Sequence, residues 1–209
     1  AFAMATRQPC GVVLSLAPWN APVILATRAI AMPLACGNTV VLKASELSPR
    51  THGLLGELMS QCGMPKGTVN VVHSSPEAGP QNVEAVMGHP AIRRINFTGS
   101  TRVGRIIAQK AANHLKPCLL ELGGKAPLVV LDDADLDAAV DAAVFGALFH
   151  QGQICMSTER IVIDEKVADE FVEKFKRRAA PIKAMDPRDP DCVLGSMITE
   201  QAAHRVKGL

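Results

Sequence analysis

A chain of 209 residues is long enough for one large domain or parts of two, and its 48% hydrophobic and 20% charged content is that of an ordinary soluble globular protein. Lys and Arg number 22 against 20 Asp and Glu, a net charge of +2, so no nucleic acid and no membrane partner is expected on electrostatic grounds. Tyr is absent and Trp occurs once, which also removes a base-stacking surface.

The chain opens at Ala1 in an extended stretch without an initiator Met. Residues 8–27 carry no charge, a run that could imitate a membrane span. Pro9, Pro18, Asn20 and Pro22 argue instead for a buried strand over 12–16, a tight turn and a helix. Asn20 is expected to cap that helix, Pro22 to lie in its first turn, and Gly37 to end it after Cys36. A strand over 39–42 comes next. Ser48-Pro49 opens a helix that Gly63 closes. A strand over 69–72, a helix over 77–87, a strand over 92–97 and a helix over 101–113 follow.

This alternation predicts an α/β fold with a parallel sheet and helices on its faces. In such sheets ligands bind at the carboxyl ends of the strands. Asn20, Lys43 and Gly99-Ser100 each follow a predicted strand. A second unit is expected after Gly123-Gly124, with strands over 127–131 and 160–163, helices over 136–149 and 166–179, and a loop through Asp186-Pro187-Arg188-Asp189-Pro190. A last helix starts at Thr199 and the sequence stops soon after, so a chain incomplete at both ends is expected. No internal repeat, low-complexity segment or signal peptide is visible.

The six cysteines, Cys10, Cys36, Cys62, Cys118, Cys155 and Cys192, show no C-x-x-C pair and no metal-ligand spacing. They read as reduced thiols of a cytoplasmic protein, and no metal is expected. Cys155 differs in context. It lies in Gln151-Gly152-Gln153-Ile154-Cys155-Met156-Ser157, between a helix and a strand, where a turn can expose the thiol and leave its backbone N–H available. The alternative is a buried structural thiol.

Glu121, in Leu119-Leu120-Glu121-Leu122-Gly123-Gly124-Lys125, is a lone carboxylate in an apolar strand. Burial there would raise its pKa toward the range of a general base, and an ion pair with Lys125 is the alternative. Gly99-Ser100-Thr101-Arg102-Val103-Gly104 follows a strand and opens a helix, so its free N–H groups suit a phosphate, although a plain capped helix start reads the same way. Lys43-Ala44-Ser45-Glu46 could hydrogen-bond ribose hydroxyls or be a solvated charged loop. Pro18-Trp19-Asn20 places an amide where it could donate to an oxyanion.

Together these strings are more specific than any one of them. Pro18-Trp19-Asn20, Lys43-Ala44-Ser45-Glu46, Phe97-Thr98-Gly99-Ser100-Thr101, Glu121-Leu122-Gly123-Gly124-Lys125 and Gly152-Gln153-Ile154-Cys155 resemble, in order and spacing, the motifs of aldehyde dehydrogenases. The resemblance runs from near Arg7 to the end. It implies that Cys155 adds to an aldehyde carbonyl, that Asn20 and the Cys155 N–H hold the resulting oxyanion, and that hydride transfer to a nicotinamide leaves a thioester. Glu121 would then activate the water that releases the carboxylic acid. Lys43, Ser45 and Glu46 would hold the adenosine ribose. Ser100 with Trp19 would contact the pyrophosphate, with Gly99, Thr101, Gly104 and Leu122 completing the cofactor surface. Glu46 favours NAD over NADP by repelling a 2′-phosphate.

The resemblance further implies a Rossmann-like cofactor domain joined to the start of an α/β catalytic domain. Residues 1–8 would be the remnant of an oligomerisation hairpin, 9–122 part of the NAD(P)-binding domain, and 123–209 the N-terminal part of the catalytic domain. A homo-oligomer, dimer or tetramer, is expected of the complete protein. Asn20-Ala21-Pro22-Val23-Ile24-Leu25 and Cys155-Met156-Ser157-Thr158-Glu159-Arg160 are similar to the branch that oxidises aromatic aldehydes such as salicylaldehyde or vanillin. An apolar tunnel near Val23, Ile154 and Met156 would suit an aromatic ring or a fatty chain.

Two departures stand out. His73-Ser74-Ser75-Pro76-Glu77-Ala78-Gly79 has fewer glycines than family members often carry there, and His150 stands where Asn is common. Rival readings are a cysteine acyltransferase or hydrolase with His150 as base, a CoA-acylating dehydrogenase, and a structural homologue without activity. Glu121 argues for hydrolysis, and the joint presence of Cys155, Glu121 and Asn20 argues for an enzyme.

Overall fold

The structure, a computed structural model, describes residues 1–208. It divides into two compact units, Ala1–Leu122 and Gly123–Leu209.

The first unit is an α/β layer structure. Its strands are β1 (Val12–Leu16), β2 (Thr39–Lys43), β3 (Val69–Val72), β4 (Ile92–Gly99) and β5 (Cys118–Leu122). All neighbours pair in parallel, in the order β3-β2-β1-β4-β5. The crossovers are α1 (Pro22–Ala35), α2 (Pro49–Gln61), α3 (Gly79–Gly88) and α4 (Thr101–Ala112). Side chains alternate along each strand, and the two faces build separate cores. Ala26, Ala29 and Ile30 of α1, with Leu55 and Met59 of α2, pack on Val40 and Leu42. Val83 and Met87 of α3, with Ile107 and Ala111 of α4, pack on Leu14, Leu16, Ile95 and Phe97. Strand order reverses between β1 and β4, so the crevice at their carboxyl ends is the switch point at which such sheets bind ligands.

Local chemistry fixes the element ends. Pro22 and Pro49 sit in the first turns of α1 and α2, where a missing N–H costs nothing. Gly37, at φ +76°, closes α1 in the left-handed region. Buried Asn38 then ties the sheet to that helix end. Its Oδ1 accepts from the N–H groups of Cys10 and Gly11 at 2.8 and 3.0 Å, and its Nδ2 donates to the Pro33 carbonyl at 3.1 Å. Ser15, buried within β1, donates to the Ala29 carbonyl at 3.0 Å.

Two expectations about helix starts are corrected in this unit. Ala21, not Asn20, occupies the N-cap position of α1, so the Asn20 amide is not the cap. Helix α3 starts at Gly79 rather than residue 77, because Ser75 holds a preceding turn: its carbonyl accepts from Gly79 N–H at 2.9 Å and its hydroxyl from Ala78 N–H at 3.2 Å.

The second unit pairs β6 (Ala126–Val130) and β7 (Thr158–Ile163) in parallel, joined by α5 (Leu136–Leu148) and followed by α6 (Ala168–Ala179) and α7 (Glu200–Lys207). One face of the strand pair packs on α5 and α6 around fully buried Phe171, with Val130, Val140, Ala143 and Val144. Asp135 caps α5 by accepting from the N–H groups of Asp137 and Ala138. The helix predicted over 136–149 stops one residue early. Its chain continues into a short turn, Phe149–Gly152, where His150 and Gln151 have φ of 51° and 56°. Among the described residues no helix is long and apolar enough to cross a membrane.

Candidate active site

Parallel pairing puts the carboxyl ends of β1, β2, β4 and β5 along one edge of the first unit. Trp19 and Asn20 follow β1, residues 43–46 close β2, Gly99 and Ser100 close β4, and Glu121 and Leu122 close β5. Trp19 and Asn20 are half-buried.

The segment after β2 is a built loop, not a solvated one. Ser45 is buried, and Lys43 pairs with the Glu46 carboxylate three residues on. A Cβ on Gly79 at the start of α3 would lie 3.2 Å from Glu46 Oε1, so the absent side chain at 79 leaves that carboxylate its room. The loop therefore presents a cation and a carboxylate held against each other, a donor–acceptor pair suited to the hydroxyls of a sugar.

Ser100 is the N-cap of α4, and its hydroxyl accepts from Val103 N–H at 3.3 Å. The helix start is thus a capped one, and it also carries the orphan N–H groups of a first turn beside the sheet edge, where an anion is favoured. Ser100 and Thr101 are exposed. Gly104 serves packing: a Cβ there would meet Leu122 Cδ2 at 2.5 Å, so α4 lies on β5 only because residue 104 has no side chain. A paired Lys43 and Glu46 beside an exposed helix start with orphan N–H groups is a donor set that suits sugar hydroxyls and a phosphate.

Glu121 lies one register position from the end of β5, opposite Thr98 of β4. It is exposed, which corrects the expected burial. The reason is topological. β5 is an edge strand whose Cys118, Leu120 and Leu122 turn to the α3/α4 core, so Leu119 and Glu121 turn to the opposite face. The expected Lys125 partner is not used either, since Lys125 pairs with Glu159. Arg28, the first charge after the neutral run, reaches this neighbourhood and donates to Thr98 Oγ1 at 3.4 Å. Sequence reading passed over it, although a lone cation on an apolar helix was a visible signal.

Cys155 belongs to the second unit, where it is exposed. A turn closed from Ser157 N–H to the Ile154 carbonyl at 3.1 Å places Cys155 and Met156 at its tip. The Cys155 N–H has no hydrogen bond among the described residues. Upstream, His150, Gln151 and Gly152 are consecutive left-handed residues, with φ of 51°, 56° and 69°. Left-handed backbone costs a non-glycine residue about 1–2 kcal/mol, so two such residues in succession must be held in place. Gln153 does so. Its backbone N–H and Nε2 donate to the His150 carbonyl at 3.0 and 3.2 Å, and its Oε1 accepts from Ile198 N–H at 2.9 Å. Of the residues proposed to line a substrate tunnel, Val23 and Met156 are exposed and Ile154 is half-buried.

Comparison with known proteins decides the family. The aldehyde dehydrogenase family profile matches residues 1–209. The chain belongs to the aldehyde dehydrogenase family. A vanillin dehydrogenase of Pseudomonas fluorescens is 64% identical over 208 residues, a match covering 100% of this chain and 43% of that protein. A salicylaldehyde dehydrogenase of Pseudomonas putida is 57% identical over 209 residues, covering 100% of this chain and 43% of that protein. The crystal structure of a salicylaldehyde dehydrogenase from Pseudomonas putida G7 complexed with salicylaldehyde superposes with a TM-score of 0.93 at 57% identity, over 97% of this chain and 42% of that one. The chain thus spans about two fifths of the length of these relatives.

Proposed function

We propose that a polypeptide of the relatives' full length carrying these residues oxidises an aromatic aldehyde to its carboxylic acid with NAD(P), NAD being preferred. The observation that carries this reading is the exposed Cys155 on its turn, with an uncommitted N–H, in a family whose members here act on vanillin and salicylaldehyde.

In this reading the Cys155 sulfur bonds to the aldehyde carbon while the carbonyl electron pair moves to oxygen. The Asn20 amide and the Cys155 N–H donate to that oxyanion, each donor being worth about 2.7–4 kcal/mol in the transition state. Bound NAD(P) supplies the hydride acceptor, and the oxyanion pair reforms the carbonyl as a Cys155 thioester. Glu121 then takes a proton from water as the water oxygen adds to that carbonyl, and the thiolate leaves. The paired Lys43 and Glu46, with Ser45, would hold the adenosine ribose, and the α4 start at Ser100, with Trp19, the pyrophosphate. The Glu46 charge supports a preference for NAD. Cytoplasmic residence and a homo-oligomeric state, dimer or tetramer, complete the proposal. The dispersed free cysteines support the first.

The test is Cys155→Ala in the full-length protein. Aldehyde-dependent NADH formation from vanillin and salicylaldehyde should fall by at least about 10⁴-fold, as for removal of other covalent nucleophiles, while NADH binding stays near wild type. Comparable turnover would end the assignment. Higher kcat/KM for an aliphatic than an aromatic aldehyde in the parent enzyme would end the substrate class.

A further inference from the structure

His52 has no part in the chemistry above, yet its side chain is fully buried beneath the loop that follows β2. Its Nδ1 accepts from the backbone N–H of Ser45 at 3.0 Å. That N–H precedes Glu46 by one residue. The rest of the loop closes on itself around the same residue: Ser45 Oγ accepts from Leu47 N–H at 3.2 Å, and the Ser45 carbonyl accepts from Ser48 N–H at 3.3 Å. Both of these bonds are local. The start of the loop is tied to β3 by the Ala44 N–H, which donates to the Val72 carbonyl at 2.9 Å, and the bond to His52 ties the next peptide group to α2.

An Nδ1 that accepts fixes the ring as the neutral tautomer with its proton on Nε2. The imidazole thus pins to α2 one peptide group that lies between Lys43 and Glu46. We propose that His52 is a positioning residue for the cofactor's ribose site, holding the Lys43 and Glu46 pair in register through the Ser45 N–H. The proposal rests on the assignment of residues 43–46 to that ribose.

The geometry makes a discriminating test possible. An Asn side chain puts its amide oxygen about where Nδ1 sits, whereas Gln puts it near the place of Nε2. In the full-length protein, NADH affinity is measured by fluorescence titration, alongside KM for NAD and kcat at saturating NAD. His52→Gln and His52→Leu are expected to weaken NADH binding and raise KM about ten-fold, an affinity change of about 1.4 kcal/mol, with kcat within about two-fold of wild type. His52→Asn is expected to stay within about two-fold on all three. Should His52→Leu not fold, the Asn and Gln pair carries the test.

Equal affinities for the Asn and Gln variants would overturn the proposal, as would a loss in kcat with KM unchanged. Glu46→Ala separates the two ideas under test. If it weakens NADH binding while His52→Gln does not, the ribose assignment stands and the role of His52 falls. If Glu46→Ala has no effect on NADH binding, the ribose assignment itself falls and the proposal falls with it.

Discussion

The unit that ends at Leu122 covers both faces of its sheet, with Ile30 and Leu42 buried on one side and Met87 and Ile95 on the other. The unit that begins at Gly123 covers one face of two strands and leaves Val129 and Val162 at 63% and 55% exposure. They also hold their site residues differently. In the first, Asn20, Lys43, Glu46, Ser100 and Glu121 stand at the ends of strands whose register is set by four parallel ladders. In the second, Cys155 stands on a turn whose approach is a left-handed segment that Gln153 helps to hold. A rigid edge suits residues that must grip a large ligand at several points. A constrained turn suits a single atom that must be exposed and aimed.

That contrast is broken most sharply at Glu121, because the sheet edge supplies its position without burying it. Glu121→Gln should keep the geometry of β5 and remove the base. Steady-state turnover of the full-length enzyme is expected to fall by about 10²–10⁴-fold, while a rapid burst near one NADH per active site persists. An unchanged steady-state rate would place the base elsewhere.

Core truncations separate the units next. Phe171→Ala opens the small core of the second unit and should lower stability by about 3–5 kcal/mol, and Ile30→Ala in the first by about 2–5 kcal/mol. Urea unfolding measures both. In the folded population at low denaturant, Phe171→Ala should reduce the alkylation rate of Cys155 and spare NADH affinity, whereas Ile30→Ala should do the reverse. If both variants impair both readouts equally, the units do not act as separate supports.

The sequence was most readable where a pattern is periodic. Strand–helix alternation and the punctuation of Pro22, Pro49 and Gly37 located β1 to β4 and α1 to α4 within one or two residues at most ends. It was least readable where geometry depends on partners distant in the chain. Glu121 reads as buried because its neighbours are apolar, but edge position and strand alternation turn it outward. Lys125 stands four residues from Glu121 and yet, just before β6, pairs with Glu159 on the neighbouring strand β7. Gly104 reads as part of a phosphate loop, and its contact with Leu122 emerges only when α4 is laid on β5. His52 gives no motif at all, since its role is defined by a bond to a residue seven positions earlier.

Glu46 tests whether the first unit's edge also sets cofactor choice. Glu46→Ser removes a charge that would meet a 2′-phosphate and frees Lys43 of its carboxylate partner. The ratio of kcat/KM for NAD over NADP should fall by about ten-fold, which corresponds to about 1.4 kcal/mol. A constant ratio would put Glu46 outside the ribose site.

The smallest effect expected is a pH dependence confined to the first unit. Burial holds the pKa of His52 below its ordinary 6.5, opposed by the backbone of Pro22 and helped by the nearby charges of His73 and Lys43. In the unfolded chain the imidazole takes a proton near 6.5, and in the folded protein only at lower pH. Between those two values the unfolded state binds more protons, so stability rises with pH. The contribution is therefore fully present above 6.5 and is lost as pH falls through the folded value. The lowered carboxylates Glu77, Glu173 and Asp186 have ordinary values of 4.5, 4.5 and 3.8, so their losses begin at more acid pH than that of His52. Urea midpoints of the wild type should drop between about pH 7 and pH 5, and those of His52→Asn should drop less, with the difference between the two proteins constant above pH 7. Parallel slopes would mean that His52 protonates as readily in the folded protein as in the unfolded chain. A proton taken up so freely could not coexist with Nδ1 as the acceptor for Ser45, because the imidazolium has a donor at that nitrogen.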